Sequence, residues 1–402
     1  MRYLLIVAAA SLFTASDVAA GPLRLRGDAF YGAKPPVGLL VLQAEDDEVG
    51  WLDAEALVWT SINELDDSGS GDALVVTLRA RDPQGRGEAR VGRFVVATGA
   101  IVPRHIDGGT VRLRSPTGTD LELFGGLPVA PRFGVDAYDW IVGARLSHRL
   151  GKSAVAGVSY VHERDRGFVA DEEVGVDVAL IPLRWLDIAA RAALDLVDSP
   201  GISEARLSAA ARKGKWRVEA FAARRSPSRL LPATSLFSAL GDVPSDELGI
   251  ASRWRAAPRL DVWTSAAFRR IEAIDDSSDV GSGINGFEVK SRAALRLDDK
   301  GKGVLGFELS RQQLDALSSW TGARGTLSLP IGKRLIASSE LELVIPDNPR
   351  GRGVAWPWAL AAIGWRPNAS WEAAAAVESR VSPESEFALS ALLRVTRRWA
   401  GE

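Results

Sequence analysis

From Tyr138 to the C-terminus the apolar residues of this chain recur with a period of two. Phe287, Val289, Ser291, Ala293, Leu295 and Leu297 alternate with Glu288, Lys290, Arg292, Ala294 and Arg296. Leu186, Ile188, Ala190, Ala192, Leu194 and Leu196 alternate with Asp187, Ala189, Arg191, Ala193 and Asp195. Leu335, Ala337, Ser339, Leu341, Leu343 and Ile345 are interleaved with Glu340 and Glu342. Successive side chains of a strand point to opposite faces, so each segment has one apolar and one polar face. A helix would scatter the same charges around its circumference.

Fifteen such segments follow Tyr138: 138–149, 153–163, 170–181, 185–197, 202–212, 215–224, 246–256, 259–271, 286–297, 303–312, 319–329, 333–345, 355–366, 369–381 and 385–398. Strands of soluble proteins average about 5–6 residues. A strand crossing a bilayer at a tilt of roughly 45° needs about 9–11, which is closer to what is found here. The connections tend to alternate in length. Gly151-Lys152, Lys213-Gly214, Ala257-Pro258 and Pro367-Asn368 are short, whereas 225–245, 272–285 and 346–354 are long. A closed transmembrane barrel has short turns at one rim and longer loops at the other. A soluble sandwich gives no reason for that trend.

The expected fold is therefore all-β, a closed antiparallel transmembrane β-barrel with an even number of strands. Parity requires an odd number of strands before 138–149. The candidates are 24–32, 37–44, 50–60, 72–81 and 88–98. Taking the last three gives eighteen strands, the preferred count; taking one or all five gives sixteen or twenty. Residues 99–137 read as the longest connection, with a small hairpin at Thr110–Arg114 and Asp120–Phe124 followed by Gly125-Gly126 and Pro128. The alternatives for this loop are folding into the lumen as a constriction or standing outside as a hairpin.

Residues 1–20 combine Arg2, an apolar run from Leu4 to Phe13 and the small-residue end Val18-Ala19-Ala20. That is the pattern of a cleaved secretory signal peptide, leaving 21–402 as a single barrel. The rest of the composition narrows the function. With 49 Lys+Arg against 51 Asp+Glu, the net charge of −2 speaks against a nucleic-acid binder. The absence of cysteine removes disulfide scaffolds, thiolate metal sites and cysteine nucleophiles. No stretch after residue 20 is long and apolar enough for a transmembrane helix. The thirteen tryptophans gather near segment ends. Trp185, Trp216, Trp320, Trp356 and Trp371 lie near starts and Trp254, Trp365 and Trp399 near ends, as candidates for an interfacial aromatic girdle.

Signal peptide, amphipathic strands, alternating turns and aromatic ends together resemble a Gram-negative outer-membrane β-barrel of porin size, over roughly residues 21–402. In such barrels the last strand often alternates up to a terminal aromatic residue. Here Phe387, Leu389, Ala391, Leu393, Val395 and Trp399 share one parity, Arg397 interrupts it, and Ala400-Gly401-Glu402 trail beyond. The resemblance implies export across the inner membrane, insertion by the barrel assembly machinery and contact with outer-membrane lipid; it leaves a homo-oligomer open.

The polar face carries the functional signal. Its candidate lumen-lining residues are Asp187, Arg191, Asp195, Arg217, Glu219, Glu288, Lys290, Arg292, Arg296, Glu340 and Glu342. Lys290, Arg292 and Arg296 form a basic stripe on one strand and Glu340 and Glu342 an acidic one three strands later. Lumenal charges of this kind tune ion selectivity. The expected function is passive diffusion of small hydrophilic solutes or ions, with no enzymatic activity and no cofactor or metal. The alternatives are a plugged or scaffold barrel serving a periplasmic partner in export or electron transfer, and, less favoured, an outer-membrane hydrolase. His148 and His162 sit far apart on adjacent segments, and Ser147 faces away from His148. His162 with Glu163, Asp165 and Asp171 reads as a charged rim. Gly281-Ser-Gly283-Ile-Asn-Gly286 matches a dinucleotide fingerprint but precedes a strand, where that motif needs a helix. Arg26-Gly27-Asp28 opens the first candidate strand and carries no adhesion role.

Overall fold

The computed structural model describes residues 24–33, 36–49, 51–63, 68–129, 139–197, 200–226, 244–272, 284–299, 301–314, 319–349, 353–382 and 385–399. They form 22 strands in one sheet. In chain order these are β1 (Arg24–Ala33), β2 (Pro36–Val49), β3 (Leu52–Asn63), β4 (Ser68–Arg81), β5 (Gly87–Val96), β6 (Arg104–Arg114), β7 (Thr119–Pro128), β8 (Ile141–Leu150), β9 (Ala154–Asp165), β10 (Phe168–Leu183) and β11 (Leu186–Asp195). The second half comprises β12 (Gly201–Lys213), β13 (Trp216–Arg225), β14 (Ser245–Ala257), β15 (Leu260–Ile271), β16 (Ile284–Arg296), β17 (Val304–Gln313), β18 (Trp320–Ile331), β19 (Leu335–Pro346), β20 (Trp356–Trp365), β21 (Trp371–Ser382) and β22 (Ser385–Trp399). Each strand pairs antiparallel with the next, and β22 pairs with β1 from Leu25↔Trp399 to Gly32↔Leu392, which closes the sheet. Across that seam the Thr396 hydroxyl donates to Asp28 at 2.5 Å, and Arg26 pairs with the same carboxylate at 2.7 Å.

The all-β closed barrel is as expected; the count is not. There are 22 strands, above both the preferred eighteen and the sixteen-to-twenty range. The fifteen segments after Tyr138 are β8 to β22, and the five N-terminal candidates are β1 to β5. The two further strands, β6 and β7, come from inside 99–137, so that segment is not one connection. The hairpin at Thr110–Arg114 and Asp120–Phe124 is their turn end, with Arg114 opposite Asp120, and the glycines beyond it lie inside the wall. Gly108 is opposite Gly126 and Gly109 opposite Gly125. A Cβ on Gly108 would stand 2.1 Å from the Gly125 carbonyl oxygen, and one on Gly126 would stand 2.4 Å from that of Asp107. The two backbones approach so closely that only glycine fits.

The two rims differ. The connections at one rim are short, the longest being 297–303, and the described ends of the chain, Arg24 and Trp399, lie there. The connections at the other rim include 129–140 and 226–244. The two faces differ more. One parity carries Leu146, Val158, Leu207, Leu248, Ile250, Phe268, Phe307 and Leu341, each about half exposed or more. Water does not stably wet so large an apolar surface; it is the outer, lipid-facing side of a transmembrane barrel. The other parity carries most of the charges of the wall and faces the lumen.

One apolar cluster lies on the lumen side: Phe94, Val96, Ile101, Ile106, Phe124, Ile141 and Val161. It forms where the β5–β6 connection, 97–103, turns inward onto the wall. Gly99 has φ +58°, and a Cβ there would meet Arg145, Ser159 and Asp177 within 3.0 Å. Replacing Gly108 by Ala should cost about 1–3 kcal/mol or more of overpacking. Gly325, where an added Cβ would meet nothing within 4 Å, should tolerate Ala. Thermal unfolding in detergent checks both: a lower midpoint for Gly108→Ala and an unchanged one for Gly325→Ala.

Candidate functional site: the charged inner wall

All eleven candidate lumen residues stand on the inward parity. Strand register aligns Asp177 with Arg191 and Arg191 with Arg206, so three charges stand in one row across β10, β11 and β12. Most of the eleven pair locally. Asp187 meets Arg212 at 2.6 Å, Arg191 meets Glu204 at 2.7 Å, and Arg217 meets Glu219 at 3.1 Å. Lys290 pairs with Glu288 on its own strand, Arg296 with Asp261 at 3.1 Å, and Glu340 with Arg324 at 2.5 Å. Asp195 accepts the Val197 amide at 2.9 Å. The basic and acidic stripes are therefore partly neutralised at source and do not face each other as bare charge. The half-exposed pairs among these are worth about 0–1 kcal/mol each, whereas the Asp261 carboxylate is buried.

Near the long-loop rim the wall is drier. Arg104 and Asp171 form an ion pair whose side chains are 7% and 9% exposed. Glu163 and Glu173 are buried beside them. Glu173 accepts the Ser203 hydroxyl and, at 3.2 Å, the amide of Val102. Thr98 donates to Glu122 at 3.1 Å, and Arg145 pairs with Asp177 at 2.6 Å. These contacts hold the 97–103 connection against the inside of β7 to β10. Glu163 and Asp171 are thus not a solvated rim. His162 points the other way, beside the Trp140 ring at 5.3 Å and Glu172 at 3.8 Å. Ser147 is buried inside while His148, outside, contacts Thr119 at 2.9 Å. Among the described residues no group of three or more His, Cys, Asp or Glu could hold a metal ion. Of the glycine fingerprint, Gly281 and Gly283 lie outside the described residues.

The tryptophans divide. Trp185, Trp216, Trp254, Trp365, Trp371 and Trp399 all lie at the short-turn rim. Trp216 and Trp254 stack at 5.1 Å with an interplanar angle of 8°. Arg397, which interrupts the alternation of the last strand, lies over Trp371 at 5.1 Å and Trp399 at 4.7 Å. A cation held over indole rings at a rim keeps its charge near water. Trp320 and Trp356 are different: they lie at the long-loop rim and share parity with the inward residues Arg324 and Trp358. Trp263 and Trp358, not singled out by sequence, also face inward. Trp358 donates to Glu378 at 2.8 Å, and Trp263 sits between Arg253 and Arg292.

Closed wall, apolar outside and charged inside define the class: a large transmembrane-type β-barrel. No family model matches the chain, and no curated protein does. Solved structures do match in fold. The FrpB iron transporter of Neisseria meningitidis, in its apoprotein form, gives a TM-score of 0.63 at 9% identity, covering 94% of this chain and 81% of that one. The copper transporter OprC gives 0.61 at 10% identity, covering 94% and 80%. The translocation pore of the P pilus usher PapC gives 0.51 at 9% identity, covering 94% and 98%. At these identities the likeness is one of architecture.

The buried pair gives a test. Arg104→Met leaves Asp171, Glu163 and Glu173 buried together without their shared cation, which costs about 3–5 kcal/mol. Asp171→Asn keeps Arg104 beside Glu163 and Glu173 and costs less. Chemical denaturation of the two variants in detergent should rank them in that order.

Proposed function

We propose that the chain is a channel of the Gram-negative outer membrane through which small hydrophilic solutes or ions diffuse passively. On this reading residues 1–20 direct export across the inner membrane and are removed, the short-turn rim faces the periplasm, and the rim tryptophans anchor the barrel in lipid. The observation that carries the reading is the inner wall. It is charged on strand after strand and its pairs are mostly half-exposed, so the lumen holds water. With 22 strands about 4.8 Å apart and tilted by roughly 40°, a circular wall would be about 40–45 Å across between backbones. The inward 97–103 connection covers only one sector of that width.

The same width favours a second reading, in which the lumen sleeves a periplasmic partner for export or electron transfer. Barrels of this strand number are often plugged. Among the described residues no nucleophile–base constellation supports an enzymatic role. Planar-bilayer recording separates the two readings. The purified, folded barrel should insert and pass a steady ionic current by itself. A folded barrel that inserts and passes none contradicts the channel reading, and co-purification of a periplasmic protein with that silent barrel would support the sleeve.

A further inference from the structure

At the short-turn rim, the inward positions of β12 to β16 are unusually rich in arginine. Arg212 closes β12, Arg217 opens β13, Arg253 and Arg255 close β14, and Arg292 and Arg296 close β16. Register sets Arg212 directly opposite Arg217, and Arg217 directly opposite Arg253. Like charges directly opposed across a sheet are destabilising, and here two such pairs stand in a row.

Their compensation is incomplete. Asp187 serves Arg212, and Glu219 serves Arg217. The buried carboxylate of Asp261 is shared by three guanidiniums, Arg296 at 3.1 Å, Arg253 at 3.5 Å and Arg255 at 3.7 Å. Among the described residues Arg292 forms no ion pair. Its guanidinium lies 5.8 Å from the centre of the Trp263 ring, which Arg253 approaches at 5.3 Å. Glu308 is opposite Arg292 in register without pairing with it. Even counting Glu308, positive charge remains in excess over this sector. Trp263 gives the two guanidiniums a fixed apolar face to rest on, so they are held in place before any ligand arrives.

We propose that this cluster is an oxyanion-binding subsite of the lumen, which takes the carboxylate or phosphate group of a small anionic solute. Guanidinium groups bind both through charge-assisted, often bidentate hydrogen bonds. An anion seated among Arg217, Arg253 and Arg292 also relieves the opposed like charges that the register imposes. Arg253 and Arg292 are the binding residues, and Trp263 is a positioning residue. The inference deepens the channel reading and rests on it for placing the subsite on a path that solute travels.

The test titrates the full-length folded barrel in detergent with inorganic phosphate, and separately with malonate, by calorimetry. Zero-current potentials in a steep KCl gradient are recorded in parallel. Saturable binding of either anion is expected, with about a ten-fold loss of affinity for each of Arg253→Gln and Arg292→Gln, and a potential that moves toward cation preference. The malonate and phosphate arms separate a carboxylate ligand from a phosphate ligand. Trp263→Leu should weaken anion binding with no change of formal charge, and Trp263→Phe should restore most of it. Arg380→Gln removes the same charge from β21, remote from the cluster, and should leave anion binding intact. Absence of saturable binding overturns the subsite, as does an equal loss from Arg380→Gln, which would indicate a diffuse field. A barrel that conducts but binds neither anion loses the subsite and keeps the channel. One that binds anion but passes no current loses the channel and keeps the subsite.

Discussion

A strand that crosses lipid has no water to satisfy its backbone N–H and C=O groups, so every one of them needs a partner in the next strand. A sheet meets that condition only by closing on itself. Here the closing step is the pairing of the first and last strands, Leu25↔Trp399 to Gly32↔Leu392. The rest of the architecture follows from that pairing. Consecutive antiparallel strands that begin and end at the same rim must be even in number. With no open edge, the two faces of the wall become outside and inside. Lipid then selects apolar side chains on one parity, and the lumen admits charged ones on the other. The seam itself is held on its wet side by Asp28, which takes both the Thr396 hydroxyl and the Arg26 guanidinium.

Because parity alone decides which side chains meet lipid, the sequence displays the wall directly. The fifteen period-two segments after Tyr138 correspond one for one to β8 to β22. The sequence showed β6 and β7 only in part, as the hairpin at Thr110–Arg114 and Asp120–Phe124, and not as strands of the wall. Their glycine pairs, Gly108 with Gly126 and Gly109 with Gly125, erase the alternation in the middle of each strand. The reason is a close backbone approach, a fact about two strands that neither shows alone. The inward turn of 97–103 is equally non-local. It depends on Phe94, Ile106, Phe124, Ile141 and Val161, which look in sequence like ordinary breaks in the polar face. Together they form a small dry patch within a wet lumen.

The candidate site was legible at the level of faces and illegible at the level of partners. Lys290, Arg292 and Arg296 share one parity of β16, yet Glu288 and Asp261 take two of the three charges. Which arginine is left over depends on register with β15, and register is set by pairing. The same dependence brings Trp263 between Arg253 and Arg292. Trp320 and Trp356 show the limit of reading tryptophans by position along a strand. Both lie near a strand start, as girdle residues do, but their parity turns them inward. Arg397 shows the converse: a charge on the lipid parity is accommodated because Trp371 and Trp399 flank it at the rim.

The central claim is the inside-out polarity of a lipid-solvated wall, and the chain is well suited to a direct measurement because it has no native cysteine. Single cysteines placed in turn from Phe287 to Ala294 of β16 can be challenged with a membrane-impermeant maleimide in the lipid-reconstituted barrel. Labelling should alternate residue by residue: high at positions 288, 290, 292 and 294 and low at 287, 289, 291 and 293. Uniform labelling along the strand, or the opposite alternation, would contradict the account.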